Sequence, residues 1–513
     1  MTEESLSATG DTGLPRRMAE WFLPHGDPAK LVLVLMLLTC FFGLKSRWIN
    51  PDSVGYYMFI VSPVVDGDFD YTNDLDRFGV EPVYRKNNFR PGVGGRPINP
   101  FAIGSPLLLA PFFMVGHLLA ATLRALGWSS QPLWQLDLDG LYYKTLIVGD
   151  AMMAAMTLLL LHRMLRRLFS PAASLWGMLL CWFATPLPAY IYLYGNHSHV
   201  ASAFAGTLAC VLWLDTARQT TPRHYLWLGM AAGLAGLVRW QDALILGLAL
   251  FPLARPPRFL RCLSAAAAGF WAVFSIQLIE WLMSHGTIFV QPPAQGFMQW
   301  FSPQIAGILL SARMGLLTWH PVFLVSILGF RHLYRRDRIV AAGAVAMIAA
   351  QFYVNACVPD WWGGNSFGQR RMMGILPLLA LPMSAFYDGT VRGPGRTRQV
   401  AWALGAVLAA FNFLLFFQYY HQAAFFASGV FDYPAILANQ WRVLARWGEL
   451  VQPFLNETLW SQLAGVTAAG RLLVLAVWSA ILAAGIALTA RATREAGQPT
   501  QPSRPEKAAA TGG

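Results

Sequence analysis

Asp52 sits a few residues after an almost wholly apolar run, Lys30–Leu44, and just before a polar stretch crowded with carboxylates: Asp66, Asp68, Asp70, Asp74, Asp76 and Glu81. A carboxylate at the outer mouth of a membrane helix is well placed to act as a general base, taking the proton of a hydroxyl as that hydroxyl attacks an electrophile. Pro51 in front of it also makes Asp52 a good N-cap for a short helix predicted over about 53–64. Base and cap are equally good readings of the residue, and they are compatible. The short helix would set Tyr56, Tyr57 and Phe59 at the membrane interface. The alternate aspartates of DGDFD, Asp66, Asp68 and Asp70, offer hard oxygens to a divalent cation. Their glycine is misplaced for an EF-hand loop, so a solvated acidic turn is the simpler reading.

A base of this kind needs a partner that steadies a departing anion, and arginine suits a phosphate through its fixed charge and forked donors. Arg90, Arg96, Lys144, Arg239, Arg313, Arg370 and Arg371 are the candidates expected on the outer face. Arg370 and Arg371 follow PDWWGGNSFGQ directly, beside Trp361 and Trp362, where they would hold a lipid phosphate at headgroup level or simply anchor the chain at the interface. His197 and His199, in YLYGNHSH, form a weak metal pair without a third ligand and read as interfacial histidines that would line a substrate site. Glu280 lies within an apolar run, where an acid is costly unless paired or facing a cavity. It is a candidate sugar contact or a structural ion pair. His320 and Pro321 read as packing.

The elements that must position these residues are membrane helices. The chain has 513 residues, 56% hydrophobic and 12% charged, against about 25% charged in soluble domains. The expected class is an all-α polytopic membrane protein. Its net charge of +12 does not point to nucleic acid. The basic residues fall in short clusters between apolar runs (Arg163, Arg166, Arg167; Arg255, Arg258, Arg261; Arg331, Arg335, Arg336, Arg338; Arg392, Arg396, Arg398), as retention of positive loops in the cytoplasm produces. Cys40, Cys181, Cys210, Cys262 and Cys357 lie mostly in apolar runs with no metal-ligand spacing and read as core residues.

Spans are predicted over about 30–47, 141–162, 172–193, 198–216, 225–238, 241–254, 262–284, 314–333, 339–357, 372–388, 400–420 and 471–490. That is about twelve crossings, both ends cytoplasmic. The segment at about 101–123 is apolar enough to cross, but the charge pattern favours a helix lying in the outer interface. The pieces at about 225–238 and 241–254 are too short to span upright, and Arg239, Gln241 and Asp242 between them imply a depression or water-filled cavity. The domain plan is a cytoplasmic segment 1–29, a transmembrane domain 30–490 with outer loops at 48–140 and 421–470, and a disordered cytoplasmic tail 491–513.

In order along the chain, PDSVGYYMFI, VVDGDFDYTND, NPFAIGSPLLLAPFF, GLAGLVRWQDALI, GLLTWHPVFLVSILGF and WWGGNSFGQRRMMGILPLLALP resemble the GT-C glycosyltransferases, the class of the protein O-mannosyltransferases and the lipid A aminoarabinose transferases. The resemblance implies a GT-C-like bundle with interfacial helices in the first outer loop. It implies transfer of one sugar from a polyprenyl-phosphate carrier to a glycan, lipid or protein acceptor on the periplasmic face of a bacterial inner membrane. The acid after the first helix, here Asp52, would be the base, and Arg370 or Arg371 would meet the donor phosphate. Many relatives carry a second acid next to the first, where this chain has Ser53. The competing class is a transporter or flippase of a lipid-linked sugar, which would gather its polar residues at midplane rather than at the outer helix ends.

Overall fold

The computed structural model describes residues 51–128, 141–218, 220–254, 258–290, 297–364, 366–391, 393–427, 432–458 and 476. The expected first and last spans, at about 30–47 and 471–490, lie outside or almost wholly outside them. Among the described residues the protein is helical, with one isolated antiparallel bridge, Pro91 to Pro97, and no strand. Seven helices are long and apolar enough to cross a bilayer. The protein is a polytopic all-α membrane protein.

The chain begins with α1 (Pro51–Val61), which widens into a π-turn at Ser62–Asp66. The short helices α2 (Thr72–Arg77) and α3 (Pro82–Asn88) follow, then the long α4 (Gly104–Ala125). Next come α5 (Leu141–Arg166), α6 (Pro171–Phe183), α7 (Leu187–Tyr192), α8 (Ser198–Asp215) and α9 (Pro222–Val238). A 3₁₀ segment, Trp240–Leu250, leads to α10 (Phe259–His285). The remainder is α11 (Ile305–Leu310), α12 (Leu316–Trp319), α13 (Phe323–Arg336), α14 (Arg338–Ala356), a 3₁₀ turn Arg370–Ile375 running into α15 (Leu376–Val391), α16 (Gly395–Ala427), α17 (Tyr433–Ala445) and α18 (Trp447–Asn456).

The bundle has two distinct ends. At one, Arg167 at the end of α5 pairs with Asp215 at the end of α8 at 2.6 Å. Arg336 at the end of α13 pairs with Asp388 near the end of α15 at 3.3 Å, and Asp388 also accepts the Ser170 amide in front of α6 at 3.0 Å. Arg167 and Arg336 thus share one end. Asp52, the Asn196–His199 turn, Arg239 and Arg370 lie at the helix ends opposite.

Close packing comes from small residues. Gly229 and Gly233 on α9 form a GxxxG pair, and a Cβ on them would fall 1.9 Å from the Ala266 carbonyl and 2.6 Å from the Phe270 carbonyl of α10. Only hydrogen fits there, which is how membrane helices gain dispersion contact without a hydrophobic driving force between them.

Several expectations change. The span at about 172–193 is broken after Phe183: Pro186 and Pro188 withhold backbone donors and restart the chain as α7. The span at about 314–333 is likewise interrupted at His320–Pro321 between α12 and α13. Tyr56, Tyr57 and Phe59 are buried, not interfacial, because α1 is enclosed on nearly every face. The short piece after Arg239 needs no extra residues: at a 3₁₀ rise of about 2 Å per residue its turns cover about 22 Å. Phe251 therefore reaches the level of Trp213, whose indole donates to its carbonyl at 2.9 Å.

Helix α4 is long enough to cross, yet its partners keep it at the site end. Gly104 abuts the Leu237–Val238 backbone, Gly149 of α5 faces Leu109 and Phe112, and Gly116 faces Tyr142. It therefore runs antiparallel along only the first part of α5.

Candidate active site

Asp52 lies in the first turn of α1, where the partial positive charge of a helix N-terminus favours a carboxylate. Its hydrogen bonds go to side chains rather than to backbone amides. Oδ1 accepts from the Tyr84 hydroxyl at 2.6 Å, and Oδ2 from Arg370 Nη1 at 3.1 Å. The side chain keeps 26% of its surface exposed, so a solute can reach it. Burial pushes this carboxyl up, but the Arg370 guanidinium, with help from His197 and the Tyr84 hydrogen bond, outweighs burial and holds it below the ordinary carboxylate value.

Arg370 is shaped into place by its own loop. Gly363 and Gly364 have φ of 75° and 72°, and a Cβ on Gly363 would come within 3.2 Å of Arg370 Cγ and Nε. The following turn is braced from below, because Gly368 rests on the buried His320 ring, whose Nδ1 bonds Asn412 Oδ1 at 2.7 Å.

A second layer joins the first through α1. Tyr56, one turn after Asp52, donates to Ser198 Oγ at 2.7 Å. Arg239 Nη1 reaches the same hydroxyl at 3.2 Å and His199 Nδ1 at 2.7 Å. With the Gln241 amide turned to satisfy its neighbours, its oxygen accepts from Arg239 Nε and Nη2, each at 2.9 Å. Accepting at Nδ1 leaves the His199 proton on Nε2. His197 and His199 are stacked at 5.7 Å, and Tyr190 lies 4.3 Å from His199. Both histidines are buried, not interfacial. Burial pushes His197 down to about 4 against the pull of Asp52, and Arg370 and Arg239 push the same way as burial. His197 is therefore neutral at pH 7.

The three guanidinium groups are not equivalent. Arg370 is paired with Asp52, and Arg371 is paired with Asp360 at 2.7 Å. The hydrogen bonds of Arg239 all go to neutral groups. Asp242, which follows it, accepts instead from Ser202 and Gln351.

The remaining candidates are placed elsewhere. Asp66 is bridged by Arg77 at 2.9 Å, and Asp68 accepts from Ser62 at 3.1 Å and from the Asp70 amide at 3.0 Å. The acidic run ties its own loop together, and none of its carboxylates joins Asp52. Among the described residues no group of three His, Cys, Asp or Glu side chains could hold a metal ion. Tyr57 packs its ring against Phe78 and Phe113. Glu280 accepts from Gln277 Nε2 at 2.6 Å, and Gln277 Oε1 accepts the Ile103 amide at 3.1 Å, so this pair fastens α10 to the entry of α4. Trp361 packs over Gly307 and edge-on against Trp362, whose ring carries the Arg313 guanidinium at 3.9 Å. Tyr84 and Ser198 were not singled out in the sequence, and Gln241 was named there only beside Arg239 and Asp242. Gln241 alone carried a signal, as a polar residue between two apolar pieces.

Behind Phe367, just before the arginine pair, is an apolar cavity lined by Trp182, Tyr192, Phe413, Phe416 and Phe454 among others. Asn412 also lines it, its amide nitrogen committed to the Phe183 and Thr185 carbonyls at 2.8 and 3.1 Å.

No family model matches the chain, and no curated protein sequence matches it significantly. Solved structures do. The aminoarabinose transferase ArnT from Cupriavidus metallidurans, bound to undecaprenyl phosphate, superposes with a TM-score of 0.50 at 14% identity, covering 91% of this chain and 77% of its own. The archaeal oligosaccharyltransferase AglB from Archaeoglobus fulgidus, in complex with an inhibitory peptide and a dolichol-phosphate, gives a TM-score of 0.43 at 12% identity over 77% of this chain and 56% of its own. The chain has the GT-C-like helical fold of the first of these proteins.

Proposed function

We propose that this protein is an integral-membrane glycosyltransferase. It moves a single sugar from a polyprenyl-phosphate donor to an acceptor hydroxyl on the periplasmic side of a bacterial inner membrane, in the assembly of a cell-envelope glycan, glycolipid or glycoprotein. The observation that carries the reading is the meeting of Asp52 with Arg370, and of both with the Arg239 cluster, at the end of the bundle opposite the basic loops. Positive-inside retention makes that end the outer one. A structure of the same fold holds undecaprenyl phosphate.

The chemistry follows from the charges. The donor phosphate brings negative charge to Arg239, whose present hydrogen-bond partners are neutral, and competes with Asp52 for Arg370. As Arg370 turns to the phosphate, the Asp52 carboxylate loses its counter-charge and becomes a stronger base. It then takes the acceptor hydroxyl proton while the acceptor oxygen bonds to the anomeric carbon. The bond from that carbon to the phosphate oxygen breaks, the configuration inverts, and the polyprenyl phosphate leaves with its charge held by guanidinium groups.

The test is transfer in proteoliposomes with radiolabelled polyprenyl-phosphate sugars, comparing the native chain with Asp52→Asn, with and without a chelator. Transfer that requires Asp52 supports the reading, and undiminished transfer by Asp52→Asn removes the base. Lipid-linked sugar that crosses the bilayer without changing its chemical form would instead make the protein a flippase. The broken hairpin at Arg239 gives that alternative its one structural argument.

A further inference from the structure

We propose that Ser53, Asn196 and Asp150 form a positioning clip that fixes the first turn of α1, and with it the Asp52 carboxylate, against Arg370. The inference rests on Asp52 being the working base.

The clip is reciprocal. Ser53 Oγ donates to the Gly195 carbonyl at 3.1 Å, and Asn196 Nδ2 donates back to the Ser53 carbonyl at 3.2 Å. Two hydrogen bonds in opposite senses hold one peptide of the Gly195–Asn196 turn flat against the residue next to Asp52. The turn is itself fixed from the far side, where Asp150 Oδ2, on α5, accepts the Asn196 backbone N–H. All three residues are buried: Ser53 is 2% exposed, Asn196 2% and Asp150 1%.

Asn196 has φ of 61°. An L-residue is disfavoured in this conformation relative to right-handed backbone, and asparagine is among the few non-glycine residues that adopt it. The strained turn persists because its surroundings over-determine it, as such turns do at functional sites. The same turn hands His197, Ser198 and His199 to the site, with Ser105 Oγ donating to the His197 carbonyl at 3.4 Å. Asp150 Oδ1 and Asn196 Oδ1 are buried without hydrogen-bond partners. A carboxylate with an idle oxygen in a helix interior is poor economy for packing alone, and its one bond goes to the turn that holds the base. Ser53 thereby has a use of its own: its hydroxyl is a fastening, not a second acid.

The clip acts on Asp52 through geometry. The titratable or charged groups facing Asp52 are Arg370 from the turn before α15, Tyr84 from α3, His197 from the clip turn and Tyr56 from α1, with Arg239 behind Tyr56. A loosened first turn of α1 draws the carboxylate away from Arg370, so it accepts a proton at higher pH.

The test reads that proton directly and needs no sugar. Full-length protein in detergent is treated with dicyclohexylcarbodiimide, which modifies protonated carboxyls, across a pH series, and labelling of the Asp52 peptide is quantified by mass spectrometry. Asn196→Gly keeps the left-handed turn and deletes only the amide, while Ser53→Ala deletes the other bond. Both are expected to move the labelling midpoint up by about one pH unit, with binding of undecaprenyl phosphate, followed by native mass spectrometry, changed less than about two-fold. Asp150→Asn keeps an oxygen for the Asn196 N–H and is expected to leave the midpoint in place, whereas Asp150→Leu is expected to raise it. Midpoints unchanged in both Asn196→Gly and Ser53→Ala overturn the clip and leave the base reading intact. Undiminished transfer by Asp52→Asn overturns the base reading and leaves the labelling result standing.

Discussion

Arg370 Nη1 lies 3.1 Å from Asp52 Oδ2, across 318 positions of sequence, and the pair closes the site end of the bundle. Removing the guanidinium should unmask what it does to the carboxylate. In Arg370→Gln the acid limb of the kcat/KM profile is expected to move to higher pH by about one to two units. The sign follows from the pair: Arg370 holds Asp52 below its ordinary value, so the base is ionised at lower pH with the arginine than without it. Asp52→Asn should lower kcat at least about 100-fold at every pH, the minimum expected for loss of a general base. An acid limb that stays put in Arg370→Gln would mean that the pair is structural.

Tyr84 supplies the other oxygen's partner, at 2.6 Å. Tyr84→Phe removes a hydrogen bond that favours the charged carboxylate, so the acid limb should again move up, by less than in Arg370→Gln because a neutral donor does less than a full charge. Unfolding in detergent should lose about 1 kcal/mol, read as a small drop in Tm. A downward shift of the limb would contradict the assigned direction of the bond.

Arg239 is expected to govern donor binding more than the chemical step, because its hydrogen bonds to Ser198, His199 and Gln241 leave its charge available to an anion. Arg239→Gln should weaken undecaprenyl phosphate binding by about ten- to a hundred-fold, the loss of one charge-assisted contact. The acid limb should move little. Arg371→Gln should cost less, since Arg371 is already spent on Asp360. The reverse ranking, measured by lipid titration in native mass spectrometry, would reassign the phosphate to Arg371.

How much of this was readable in the chain varies by level. Most apolar helices were, because a bilayer leaves the backbone no partner but itself and forces long apolar runs. The break at Arg239–Asp242 was also visible, since charge between two apolar pieces demands a wet or polar setting. The interruption after Phe183 was not, although Pro186 and Pro188 stood in plain view, because a hydropathy window averages across them. Arg370 and Arg371 look alike in sequence, and only the fold sends one to Asp52 and the other to Asp360. Tyr84 had no local signal at all: a short helix in a polar segment becomes part of the site only when the segment folds back over α1. The partners of Asp66 and Asp76, Arg77 and Arg85, had no signal either, because they are chosen by the way the segment folds.

Asp74 gives a stability prediction in that segment. Its side chain is fully buried and 3.2 Å from Arg77. Burial raises its pKa to about 6; Arg77 opposes the rise, and Asp66 adds to it. The folded value lies above the unfolded one, near 3.8. The folded state therefore binds the proton more tightly, and this contribution to stability is complete at low pH and lost as pH rises through about 6. Asp74→Asn should flatten the pH dependence of Tm between about 4 and 7, with its largest relative gain at the neutral end. An identical pH dependence in the two proteins would show that Asp74 does not titrate in this window.

The contact between α9 and α10 should tolerate no side chain. A Cβ on Gly229 would lie 1.9 Å from the Ala266 carbonyl oxygen and one on Gly269 2.2 Å from that of Leu226, distances that backbone must move to relieve. Overpacking of this kind costs about 1–3 kcal/mol, and the cost should fall on more than stability. Helix α9 ends at Val238, immediately before Arg239, so a shift of α9 away from α10 displaces the guanidinium from Ser198 and His199. Gly229→Leu is therefore expected to lower Tm in detergent and weaken undecaprenyl phosphate binding together. Gly448, with open space around its Cβ position, provides the control: Gly448→Ala should change neither. A Gly229→Leu protein that lost stability but bound the lipid normally would show that the hairpin tip is held by its own hydrogen bonds and not by the packing beneath it.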